Sequence, residues 1–123
     1  MDKILLEGIR LEIRVGVTAE ERSQPQVCGL DLTLESRLKK AGGTGNLSRT
    51  IDYAAVFECL EKICTERDYE LLEQIAERAC EALLRQFPAS RLRLKIRKLH
   101  PFSAQLAAVG IEIRRARKSG KKR

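Results

Sequence analysis

The hydrophobic period of this chain switches twice, from two residues to about 3.6 and back to two. Over residues 9–15, Ile9, Leu11, Ile13 and Val15 alternate with Arg10, Glu12 and Arg14. Over 27–34, Leu30, Leu32 and Leu34 alternate with Asp31, Thr33 and Glu35. Helical spacing follows: Val56, Leu60, Ile63 and Cys64 form one stripe, and Leu72, Ile75, Ala76, Ala79, Leu83 and Leu84 form another. Asp52 is the expected N-cap of the first helix and Asp68 of the second, and Pro88 stops the second. Alternation returns at Leu92, Leu94 and Ile96, and again at Val109, Ile111 and Ile113.

The order is therefore strand, strand, helix, helix, strand, strand. Two adjacent strand pairs predict a four-stranded antiparallel sheet of the α+β class, with both helices on its apolar face. The segments 16–25 and 37–49 read as polar connections. The opposite sheet face carries Arg10, Asp31, Glu35, Arg93, Lys95, Arg97 and Glu112, among others. Cross-strand ion pairs, bulk solvent, or a polar lumen formed by sheets joined edge to edge would each satisfy it.

At 123 residues the chain reads as one domain, 1–115, followed by a basic tail, 116–123. The net charge of +7 belongs to the end: residues 114–123 hold seven positive charges, leaving 17 basic against 17 acidic residues elsewhere. Such a tail is expected to be disordered and solvated. The body has no nucleic-acid motif, so a nucleic-acid partner is not expected. No apolar run is long enough for a membrane span, and the N-terminus lacks a signal-peptide pattern, which predicts a cytoplasmic protein. Cys28, Cys59, Cys64 and Cys80 form no CxxC pair and read as free thiols packed as small hydrophobes. With His100 the single histidine, a zinc site is poorly supported.

Four segments hold side chains capable of chemistry. Glu73 follows Leu71-Leu72 at a helix start, where the positive end of the helix favours a carboxylate. Held beside backbone amides, that carboxylate suits a 2-amino-4-oxo-pyrimidine edge; the alternative is an exposed first-turn glutamate. Tyr53 follows Asp52 at the other helix start and is either a proton relay or a packed aromatic. Lys98 falls on the apolar side of its strand, where it either snorkels or sits in a pocket that lowers its pKa for proton transfer. Glu21 lies in the Gly16 loop, and Glu20 beside it is its equal on chemistry alone. His100 is an exposed turn histidine or a further group near the site.

In this order the segments resemble the dihydroneopterin aldolase family. The resemblance runs from about Asp2 to Arg115. It rests on Gly16-Val17 with Glu21-Arg22 and Gln26, Thr50-Ile-Asp-Tyr53, Leu71-Leu72-Glu73-Gln-Ile-Ala-Glu, Lys98 with a nearby proline, and Val109-Gly110-Ile-Glu-Ile. It implies the tunnelling fold, with subunits joined as a tetramer or octamer around a polar channel. It implies a lyase of folate biosynthesis that cleaves 7,8-dihydroneopterin into 6-hydroxymethyl-7,8-dihydropterin and glycolaldehyde. Lys98, Tyr53 and Glu21 would be catalytic, with Tyr53 supplied across a subunit interface. Glu73, the Leu72 backbone and Gln26 would bind the pterin. No metal and no cofactor are implied, because the substrate's own imine can accept the electrons.

The chain departs from the family pattern at Gly45-Asn46-Leu47-Ser48-Arg49, where an acidic pair often stands, and at Leu99-His100, which separate Lys98 from Pro101. Two other functions fit the residues. One is 2′-epimerisation of dihydroneopterin triphosphate, for which Arg22 or Arg49 would meet the phosphates. The other is a non-catalytic pterin- or RNA-binding module that uses the tail.

Overall fold

A computed structural model of the chain describes residues 1–118. Four strands form one antiparallel sheet in sequence order: β1 (Asp2–Ile13), β2 (Gln26–Ser36), β3 (Arg91–Leu99) and β4 (Ala108–Ala116). A one-turn helix α1 (Ala19–Arg22) follows β1. A short helix α2 (Lys39–Thr44) and a 3-10 turn (Leu47–Arg49) follow β2. The long helices α3 (Tyr53–Thr65) and α4 (Leu72–Gln86) pack on one face, as the period switches predict.

That face is the core. Ile13, Leu30, Leu32, Leu34, Leu92, Leu94 and Ile96 from the sheet meet Val56, Leu60, Ile75 and Leu83 from the helices, all fully buried. Each such side chain contributes about 1.5–3 kcal/mol when removed from water. On the opposite face, Arg97 and Asp31 form the one cross-strand ion pair among the described residues, at 3.5 Å. Gly110 stands opposite Arg97 in the register, and a Cβ there would lie 2.1 Å from the Ile96 carbonyl oxygen. Glycine is what lets β4 close on β3 at that level.

Several boundaries differ from those predicted. β1 begins at Asp2 rather than Ile9, because a register shift between Leu6 and Ile9 changes which parity of residue faces the core. Gly8, at φ 68°, makes that bulge, and its amide donates to Asp31 Oδ1 at 2.8 Å. Both polar connections contain short helices. Asp68 does not cap α4, which begins at Leu72. Tyr69 is needed as an extended partner for Val15, and Gln74 Oε1 reaches back to accept from the Glu70 and Leu71 amides at 2.9 and 3.0 Å.

The structured body also passes the expected boundary at 115. Ala116 ends β4, the Arg117 amide donates to the Ser90 carbonyl at 2.9 Å, and its Nε donates to the Ala89 carbonyl at 3.1 Å. Tail residues 119–123 lie outside the described residues. Among the described residues no helix is long and apolar enough to cross a membrane. Cys28, Cys64 and Cys80 are buried free thiols and Cys59 is half-buried.

Candidate active site

Glu21 is held by the sequence that precedes it. Thr18 Oγ1 accepts from the Glu21 amide at 3.1 Å, while Glu21 Oε1 accepts from the Thr18 amide at 3.1 Å and from its hydroxyl at 3.2 Å. This reciprocal box is what Thr-x-x-Glu encodes at a helix start. It separates Glu21 from Glu20, whose carboxylate has no hydrogen-bond partner among the described residues. The Thr18 contacts, and then the charge of Lys98, hold the Glu21 carboxyl below its ordinary pKa. Arg22 fixes the same loop by donating to the Gly16 and Val17 carbonyls at 2.9 and 3.0 Å. Its guanidinium is thereby committed to the loop rather than left for a phosphate.

The start of α4 is drawn to this loop by backbone pairing. The Gly16 amide donates to the Tyr69 carbonyl at 3.0 Å, and the Tyr69 amide donates to the Arg14 carbonyl at 3.0 Å. Leu72 is buried and Glu73 is exposed on the first turn of α4. The Leu72 and Glu73 amides of that turn have no partner inside the helix, so a carboxylate and free N–H groups stand together there. Gln26 Nε2 donates to the Val15 carbonyl, tying the start of β2 to the same corner. Lys98 pairs with Cys28, two residues beyond Gln26, and is half-buried on the helix side of the sheet. The structure thus collects Glu21, Gln26, Leu72, Glu73 and Lys98 at one end of the sheet.

Tyr53 is not among them. Its helix start follows the 3-10 turn, and Arg49 and Thr50 line a pocket with Ser36 and Ser90, at the opposite ends of β2 and β3. The eight residue steps from Ser90, just ahead of β3, to Lys98 span roughly 26 Å. Asp52 Oδ1 caps α3 by accepting from the Ala54 amide at 3.0 Å, and Tyr53 is 68% exposed. A single chain therefore holds Tyr53 at one end of the sheet and Lys98, with Glu21, Gln26, Leu72 and Glu73, at the other. His100 is exposed in the turn after β3 at φ 56°.

The residues that organise the corner, Thr18, Arg22, Tyr69 and Gln74, carry no chemistry of their own. Of these only the Thr18 box has a recognisable sequence signature. A groove of about 730 Å³ runs along α4 from Arg67 and Gln74 to Lys118, and contains none of the six predicted site residues. Among the described residues no three His, Cys, Asp or Glu side chains gather to hold a metal ion.

The family model for dihydroneopterin aldolase matches residues 4–114. A dihydroneopterin aldolase of Streptococcus pyogenes is 34% identical over 119 residues, covering 95% of this chain and all of that protein. One of Bacillus subtilis is 35% identical over 117 residues, covering 94% and 98%. The crystal structure of Escherichia coli dihydroneopterin aldolase in complex with neopterin superposes with a TM-score of 0.90 at 26% identity, covering 94% of this chain and all of that one.

Proposed function

The chain belongs to the dihydroneopterin aldolase family, and on that premise we infer that its two half-sites combine across a subunit interface to cleave 7,8-dihydroneopterin. The protein is an aldehyde-lyase of folate biosynthesis. The observation that carries the site assignment is topological: the anchor, the lysine and the loop acid share one end, while an exposed tyrosine occupies the other. A closed ring, tetramer or octamer, brings unlike ends together and removes the open sheet edges. Its charged sheet faces would line the channel. A cytoplasmic location suits a soluble pterin substrate.

The chemistry follows from what each group can do. Glu73 accepts from the ring N–H and amino group of the pterin, with the Leu72 backbone and Gln26 completing the cradle. Tyr53 of the neighbouring subunit relays the 2′-hydroxyl proton to water, releasing its own phenolic proton as it receives the substrate's. The C1′–C2′ bond then breaks, releasing glycolaldehyde, and its electron pair moves through C6 to N5. Lys98, through a water, donates the proton that N5 gains. Proton return to C1′, with loss of the proton on N5, yields the hydroxymethyl product. Glu21 faces the side chain of the substrate and holds its charge because Thr18 and Lys98 favour the carboxylate.

The test is to incubate the purified protein with 7,8-dihydroneopterin and assay glycolaldehyde and 6-hydroxymethyl-7,8-dihydropterin. Both products are expected in equal amounts, and no aldehyde overturns the reading. Lys98→Ala should lower kcat, whereas Glu73→Ala should chiefly weaken pterin binding.

A further inference from the structure

The half-site at the Tyr53 end holds a pocket of about 310 Å³ whose lining includes Ser36, Arg37, Ser48, Arg49, Thr50 and Ser90. No carboxylate lines it. Asp2, whose Oδ2 accepts from the Leu38 amide at 3.1 Å, stands outside the lining. Neither Arg37 nor Arg49 belongs to an ion pair among the described residues. Two exposed arginines lining one pocket with no carboxylate in the lining create a positive potential that favours an anion.

The hydroxyls sharpen the class of anion. Ser48 Oγ donates to Asn46 Oδ1 at 2.9 Å, and Ser90 Oγ donates to the Glu35 carbonyl at 3.3 Å. The Ser36 and Thr50 hydroxyls, both half-buried, have no hydrogen-bond partner among the described residues. Two unspent O–H donors and two guanidinium forks suit a tetrahedral oxyanion with several acceptor oxygens. We propose that this pocket binds a phosphate-type oxyanion, either free inorganic phosphate or the phosphoryl end of a phosphorylated pterin. Thr50, three residues before Tyr53, places the pocket beside the helix start that carries Tyr53. The phosphorylated-substrate source rests on the shared-site reading above; the binding of inorganic phosphate does not.

The experiment is calorimetric titration of the full chain with inorganic phosphate and with tripolyphosphate, repeated on the Arg37→Ala, Arg49→Ala double variant. Saturable binding is expected in the wild type, weakened about tenfold or more in the variant, as loss of charge-assisted hydrogen bonds predicts. No saturable binding, or equal binding in a folded variant, overturns the proposal. Kinetics on dihydroneopterin and on its triphosphate distinguish the sources. If the phosphoryl end is the occupant, the variant raises KM about tenfold or more for the triphosphate and leaves dihydroneopterin unchanged. If free phosphate is the occupant, phosphate binding falls while both KM values hold. Phosphate binding without aldol cleavage would retain this site and overturn only the catalytic reading.

Discussion

Gly16 and Glu21 stand so close that a Cβ on Gly16 would lie 2.3 Å from the Glu21 Cβ. The loop can fold back with its carboxylate over residue 16 only because that residue has no side chain. Gly16→Ala must displace Glu21 or open the Thr18 box. A shift of about 1 Å at a catalytic group costs on the order of 100-fold in rate. The overpacking costs about 1–3 kcal/mol of stability. We expect Gly16→Ala to remain folded in a urea titration and to lose kcat/KM to about the level of Glu21→Ala. Wild-type turnover in Gly16→Ala would show that the position of Glu21 is immaterial.

The titration of Glu21 tests whether Lys98 shares its space. The carboxyl is held below its usual value of 4.5, first by the Thr18 hydrogen bonds and then by the charge of Lys98. A lowered folded-state value means the associated stabilisation is present above the unfolded-state value and is lost as pH falls through the folded one. Glu21 is therefore ionised throughout the neutral range. Carboxyl-carbon NMR should show its midpoint rise in Thr18→Val, and rise by less in Lys98→Met. An unmoved midpoint in Lys98→Met would place the lysine away from the loop.

The thiols give an independent check on the core. Burial pushes Cys28 up to about 11 and Cys64 and Cys80 up to about 12, while half-buried Cys59 is raised by the same cause. A group whose folded value is raised contributes fully below its unfolded value, and that contribution declines as pH rises toward the folded one. Tm should be level up to about pH 9 and then fall. In the native protein a chromogenic disulfide reagent should find Cys59 first. Faster labelling of Cys28 than of Cys59, followed by peptide mapping, would contradict the burial of β2 against the helices.

What could be read from the sequence was what local periodicity encodes. Leu92, Leu94 and Ile96 announce their strand, and Val56, Leu60 and Cys64 their helix face, because burial on one side repeats at the period of the element. The first half of β1 was hidden because the Gly8 bulge resets the alternation between Leu6 and Ile9. The start of α4 was misplaced because a non-local contact recruits Tyr69 to Val15, and Gln74 rather than Asp68 accepts from the Glu70 and Leu71 amides ahead of the helix. At the site, Thr18-x-x-Glu21 carries a capping-box signature that tells Glu21 from Glu20, although chemistry alone leaves the two equal. The convergence of Glu21, Glu73 and Lys98 depended on three elements meeting at one sheet end, which no single segment encodes.

The separation of Tyr53 from Lys98 yields the most direct test of a shared site. Within one chain the two lie at opposite ends of β3 and α3, and 13 residues of α3 account for about 20 Å of that separation. Tyr53→Phe and Lys98→Ala should each be nearly inactive when assayed alone. If each site draws its lysine from one subunit and its tyrosine from the next, random co-assembly from an equal mixture restores both groups to about a quarter of the sites. Unfolding and refolding the two variants together should therefore recover about a quarter of wild-type glycolaldehyde release. Variants refolded separately and then mixed should recover none unless subunits exchange. No recovery after co-refolding, with hetero-oligomers demonstrated by native mass spectrometry, would place both residues in one chain's site and overturn the interfacial arrangement.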